Sequence, residues 1–133
     1  METPTKKTYA KEHARSIKDP EGFWGEQAGQ IAWYEKPQQI LSTDENGFYR
    51  WFKGGKLNTA YLALDYHVEN GRADQDALIY DSPVTGVVKK YTYAELRDFV
   101  ARFAGALQGL GVGKGDTVVI YMPVIPEAVV AML

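Results

Sequence analysis

Gly111-Val112-Gly113-Lys114-Gly115-Asp116 is the stretch best suited by residue type to phosphate chemistry. Closely spaced glycines beside a lysine can form a loop whose amides cradle an anion. Position argues against that reading. Phosphate-binding glycines follow a strand and open a helix, so that the helix N-terminus faces the phosphate. Here a helical pattern precedes the glycines and a strand pattern follows. They are read as a helix stop and a tight turn.

Other chemistry-bearing residues are scattered. His13 and His67 are far apart, and neither has metal-ligand spacing. Asp44-Glu45 and the pair Asp74 and Asp76 sit in predicted turns, where acids cap or are solvated. Lys6-Lys7 and Lys89-Lys90 are short surface runs. Eight aromatic residues (Phe23, Trp24, Trp33, Tyr34, Phe48, Tyr49, Trp51 and Phe52) offer stacking surfaces. Base stacking normally comes with a cationic groove, whereas the net charge is −2. A small satellite core is the favoured reading for them. No Ser/His/Asp or metal constellation is present. No residue is assigned as catalytic, cofactor-binding or metal-ligating.

The elements around the glycine stretch are the most regular in the chain. Thr92 and Glu95 form a capping box. Leu96, Phe99, Val100, Phe103, Leu107 and Leu110 then recur at helical spacing, and Gly111 stops the helix. Thr117 to Met122 is apolar and β-branched, and it predicts a strand buried on both faces of a helix-covered sheet. Pro126 and Glu127 open another helix. That helix runs apolar from Ala128 to Leu133 with no stop signal, and the reading is that it is interrupted there. The run is far shorter than the ~20 residues of a membrane span.

The preceding residues are less regular. A polar surface helix is expected over Thr5 to Ile17, with Tyr9, His13 and Ile17 on one face. Asp19-Pro20-Glu21 reads as the cap and first turn of a second helix that ends near Gly29. Ile31 to Tyr34 is read as extended and Gln38 to Leu41 as a strand. Asn46-Gly47 marks a turn before a strand over Phe48 to Phe52. Asn58 is placed to cap a helix from Thr59 to about Glu69. Ala77 to Tyr80 and Val87 to Thr92 form a hairpin with a loop longer than two residues. Composition changes near Arg72–Gln75. This divides the chain into an N-terminal extension, residues 1–75, and the start of a sheet domain, residues 76–133. The fold class is α/β, a partial domain: a helical and aromatic extension, a β-hairpin, and a βα unit from a larger sheet.

With 133 residues, 45% hydrophobic and 24% charged, the composition is that of an ordinary globular chain. Its slight negative charge gives no electrostatic case for nucleic acid or an anionic membrane. The absence of cysteine excludes disulfides and thiolate chemistry within these residues. A reducing, cytoplasmic setting suits it.

Tyr91-Thr92-Tyr93-Ala94-Glu95-Leu96, the turn at 111–116, Ile120 to Pro123, Pro126-Glu127 and Ala131 to Leu133 together resemble the opening of the adenylate-forming acyl-CoA synthetases. Phe23-Trp24 and the run Trp51 to Asn58 resemble the N-terminal extension of the short-chain members, the acetyl- and propionyl-CoA synthetases. The loop Asp81 to Gly86 is closer to the propionyl type. Across Tyr61 to His67, Asp65 and His67 match the pattern N-x-L/V-D-R-H, whereas Leu62, Ala63 and Tyr66 depart from it.

The resemblance implies a parent enzyme that uses ATP and Mg²⁺ to convert a short-chain carboxylate to an acyl-adenylate, releasing pyrophosphate. Coenzyme A would then take the acyl group. The family's Ser/Thr/Gly-rich phosphate loop, adenylate-binding aspartate and catalytic lysine match nothing in these residues. The implied role is therefore scaffolding, with the remainder of a synthetase as partner and no cofactor held by these residues themselves. A free-standing interaction module on the same scaffold is the alternative. The unfinished sheet and the apolar last helix also lead us to expect self-association.

Overall fold

The computed structural model describes residues 6–133. The chain forms two compact units that meet at Asn58/Thr59. This division precedes the compositional seam at Arg72–Gln75.

The first unit holds two helices and a hairpin. Helix α1 covers Lys6–Lys18 and α2 covers Pro20–Ala28. The predicted start at Thr5 lies outside the described residues. Asp19 caps α2 by accepting a hydrogen bond from the Gly22 amide at 3.0 Å, with Pro20 in the first turn. Arg15 of α1 pairs with Glu26 of α2 and lies 5.4 Å from the centre of the Phe23 ring. Strands β1 (Gln39–Thr43) and β2 (Tyr49–Lys53) pair antiparallel, with Leu41 opposite Trp51. Helix α2 packs on β1 through Gly25, where an added Cβ would come 3.3 Å from Ile40. Ile31 to Tyr34 holds a tight turn, in which the Trp33 amide donates to the Ile31 carbonyl at 3.0 Å, in place of the extended run expected.

In the second unit, the helix expected over Thr59 to Glu69 is broken. Helix α3 covers Thr59–Ala63 and α4 only Asp65–His67, with a wide helical turn over Val68–Arg72. Leu64 between them has φ −127° and ψ −72°, outside the helical region, and is only 2% exposed. Burying Leu64 outweighs the helical propensity of its neighbours. Gly71, at φ 79°, lies inside that turn in the left-handed conformation.

Strands β3 (Asp76–Ser82) and β4 (Val87–Thr92) form the expected hairpin. Its four-residue loop is tied by the Gly86 amide donating to the Ser82 carbonyl at 2.8 Å. Helix α5, Tyr93–Gly109, packs against both strands, α4 and α6 (Pro126–Met132). Leu96 of α5 is 4% exposed, and Pro126 and Ala128 of α6 are also buried. The fold class is α/β, with helices and two small antiparallel sheets.

The strand expected at Thr117 to Met122 does not form. Among the described residues, none of these six gives or takes a backbone hydrogen bond. The double burial is absent too, since Val119 is 83% exposed and Tyr121 99%. A strand exists only where a neighbouring strand takes up its N–H and C=O groups, and no described segment does so. The βα unit therefore keeps its helices without its strand.

Candidate functional site

At the glycine stretch, the geometry is that of a helix terminus. Leu110 closes α5, and Gly111 follows with φ 88°, the left-handed conformation. The Gly111 amide donates to the Gln108 carbonyl at 2.9 Å and the Val112 amide to the Leu107 carbonyl at 3.0 Å. The Gly113 amide donates to the Asp116 carboxylate at 2.8 Å. Three of the amides that an anion would need are thus already taken. The Asp116 carboxylate also places negative charge at the site. These residues form a closed turn and no phosphate cradle.

The acidic residues act on their own turns. The Asp44 carboxylate accepts from the amides of Phe48 at 2.9 Å and Asn46 at 3.0 Å, and from Arg50 Nε at 2.9 Å. These bonds, the Phe48 amide first, hold the Asp44 carboxyl below the usual carboxylate range, against the opposing effect of desolvation. Asp76 pairs with Lys90 across the β3–β4 hairpin at 2.6 Å. His67 rests 4.7 Å from the Tyr93 ring and within 3.3 Å of Arg72, between its own turn and the start of α5. Among the described residues, no group of three or more His, Asp or Glu side chains could hold a metal ion.

Five of the eight singled-out aromatics form a continuous cluster in the first unit. Phe23 meets Trp24 at 5.1 Å, Trp24 meets Trp51 at 6.2 Å, Trp51 meets Phe52 at 5.9 Å, and Phe52 meets Trp33 at 5.7 Å between ring centres. Trp33 Nε1 donates to the Ala28 carbonyl at 2.8 Å, which ties the cluster to the end of α2. Phe48 and Tyr49 stay exposed at the hairpin turn. The rings pack on one another without full burial, since Trp24 is 42% exposed and Trp51 44%.

Sequence reasoning did not single out one concavity of the second unit. It is an apolar groove of about 520 Å³ between α5 and α6, lined by Tyr91, Leu96, Phe99, Phe103, Met122 and Val130 among others. Its charged lining residues are Arg102 and Glu127. Arg102 lies over the Phe99 ring at 5.1 Å and donates to the Asp98 carbonyl at 3.2 Å. No acid, base and nucleophile converge among these lining residues. The apolar spacing along α5 was its only signal, and spacing does not reveal whether a face is covered.

Comparison with known proteins places these elements. Residues 9–63 match the family model described as "Acetyl-coenzyme A synthetase N-terminus", and residues 64–133 match "AMP-binding enzyme". The chain is 60% identical over 126 residues to the uncharacterized protein PA3568 of Pseudomonas aeruginosa, covering 95% of this chain and 20% of that protein. It is 48% identical over 125 residues to the human mitochondrial acyl-CoA synthetase short-chain family member 3, covering 94% of this chain and 18% of that one. It is 47% identical over 131 residues to the acetyl-coenzyme A synthetase of Alkalilimnicola ehrlichii, covering 97% and 20%. Among solved structures, acetoacetyl-CoA synthetase from Streptomyces lividans superposes with a TM-score of 0.77 at 33% identity, over 90% of this chain and 18% of that chain. The chain thus spans about a fifth of the length of the relatives it matches. The family model over residues 64–133 covers more than half of the chain, so the chain belongs to the AMP-binding enzymes and corresponds to the N-terminal part of their acyl-CoA synthetases.

Proposed function

We propose that these residues are the N-terminal scaffold of an AMP-forming short-chain acyl-CoA synthetase acting on propionate or acetate. The observation that carries the reading is the end-to-end match of two family models, the synthetase N-terminus to residue 63 and the AMP-binding enzyme from residue 64. The full reaction would join the carboxylate to AMP with release of pyrophosphate, then pass the acyl group to coenzyme A. A carboxylate is a poor electrophile, and adenylation supplies its leaving group. ATP, Mg²⁺ and coenzyme A are the implied cofactors.

The residues described here do not fit those groups. The turn at 111–116 has spent three of its amides, and no acidic cluster could hold Mg²⁺. No step of adenylation is derived through them. Their part is to hold a hairpin against α5 and to supply an aromatic extension. Among the described residues, no helix is long and apolar enough to cross a membrane. A soluble, cytoplasmic enzyme is the setting we propose.

Two measurements test this. The 133-residue chain alone should give no acid-dependent exchange of pyrophosphate into ATP, and robust exchange surviving repurification would refute the scaffold role. A chimera in which residues 1–133 replace the matching segment of the Pseudomonas relative should show exchange with propionate or acetate. A chimera that folds but exchanges with neither acid, beside an active parent, would refute the synthetase reading.

A further inference from the structure

We propose that Asn46 is a site of self-modification, at which the Gly47 amide nitrogen attacks the asparagine side chain and converts it to an aspartyl or isoaspartyl residue. Two asparagines of this chain precede glycine, Asn46 and Asn70. Glycine has no Cβ to obstruct its own attacking nitrogen. In the first step the deprotonated Gly47 nitrogen bonds to Asn46 Cγ, and the C–N bond of the side-chain amide breaks. The amide nitrogen leaves as ammonia and carries off the proton that the Gly47 nitrogen gave up to solvent. Water then opens the cyclic imide. Opening at the backbone carbonyl leaves isoaspartate, in which the main chain runs through the side chain. Opening at the other carbonyl leaves aspartate.

The fold sets the two asparagines apart. Both are exposed, so restraint and not access distinguishes them. Asn70 Nδ2 donates to the Tyr66 carbonyl at 2.6 Å, within the wide turn Val68–Arg72 that packs on α5. Its side chain must break that bond, and the turn must unwind, before Cγ can meet the Gly71 nitrogen. The Asn46 side-chain amide makes no hydrogen bond among the described residues; only its backbone amide is held, by Asp44 at 3.0 Å. The Gly47 amide donates to the Asp44 carbonyl at 3.0 Å. That bond sits at the tip of a two-stranded hairpin, where local opening needs the least free energy. Either product adds a negative charge beside Asp44 and Glu45. Isoaspartate also lengthens the main chain and draws Gly47 away from the Asp44 carbonyl, so the tip loosens. The contrast rests on bonds within residues 44–47 and 66–72 and is independent of the proposed enzymatic role.

The test incubates the 133-residue chain in warm, mildly alkaline buffer and follows each Asn-Gly peptide by mass spectrometry. The peptide carrying residue 46 should lose an amide for an acid roughly threefold to tenfold faster than the one carrying residue 70, the ratio set by one hydrogen bond that must first break. In concentrated urea, where neither restraint survives, the two peptides should convert at similar rates. Asn46→Gln should abolish the early acidic species in ion exchange and leave the helical circular dichroism unchanged. In the converted protein, amide hydrogen exchange at Phe48 should be faster. Equal rates in the folded chain overturn the proposal, as does faster conversion at residue 70. So does an Asn46 that converts in urea but not in the folded chain, because the hairpin would then protect it.

Discussion

The six-membered ring of Trp33 lies over Gly55, so close that a Cβ on Gly55 would come within 2.8 Å of the indole. The same indole donates to the Ala28 carbonyl and sits 5.7 Å from the Phe52 ring. One side chain thereby joins the end of α2 to the turn after β2. Gly55 is a glycine because there is no room for anything larger. Gly55→Ala should destabilise the first unit by about 1–3 kcal/mol through overpacking. Urea unfolding followed by tryptophan fluorescence would read this. An unchanged midpoint would mean that Trp33 can move aside at little cost.

Asp44 gives the β1–β2 hairpin a pH dependence. Its folded-state carboxyl titrates below the ordinary value, chiefly because the Phe48 amide donates to the carboxylate, with Arg50 and Asn46 adding to this. A depressed carboxyl contributes stability above its unfolded pKa of roughly 3.9, and that contribution fades as pH falls through the lower folded value. The hairpin should therefore loosen in acid below about pH 4. Asp44→Ala should be less stable at neutral pH and should lose this part of the acid dependence. Amide hydrogen exchange at Phe48, measured across pH in both proteins, would check it.

The Thr92 amide donates to Glu95 at 2.9 Å, and the Glu95 amide donates to Thr92 Oγ1 at 3.2 Å, a closed capping box. Thr92→Ala should cost about 0.5–2 kcal/mol. Thr92→Ser should restore most of it. Equal losses in both variants, measured by chemical denaturation, would place the role of Thr92 in packing and not in the cap.

Leu96 is 4% exposed at the start of α5, where the helix meets the β3–β4 hairpin. Leu96→Ala should destabilise the second unit by about 2–5 kcal/mol. Leu110, at the far end of the same helix, is 81% exposed. Leu110→Ala should shift stability by less than about 0.5 kcal/mol. Similar effects at both positions would mean that the face of α5 is covered along its whole length.

Gly111 adopts φ 88°, which a side chain tolerates poorly. Gly111→Ala should cost roughly 1–2 kcal/mol, and Gly111→Asn less. Inorganic phosphate or ATP at millimolar concentration should leave the amide resonances of residues 111–116 in place. Saturable shifts there would show that the turn opens to receive an anion after all.

Much of this architecture was legible because it is local. The Asp19 cap, the Thr92–Glu95 box, the Asn46-Gly47 turn and the Gly111 stop each depend on residues within a few positions of one another. Steric and hydrogen-bonding rules act on them wherever the chain lies. The helices at 20–28, 93–109 and 126–132 follow from those signals and from apolar spacing. Composition also indicated that the tryptophans and phenylalanines would cluster.

Residues 59–69 and 117–122 were decided elsewhere. Local propensity favoured one continuous helix in the first. The structure instead breaks it at Leu64, which is 2% exposed and lies outside the helical region. In the second, β-branched composition marks a segment able to be a strand, but a strand is a relation between two segments. Its hydrogen bonds need a partner that no pattern within Thr117 to Met122 can supply. Sequence thus determined the caps, turns and helix faces of this protein, whose energies are paid within a few residues. Tertiary structure alone decided which apolar faces were covered and which backbone edges stayed open, because burial and strand pairing are settled between residues far apart in the chain.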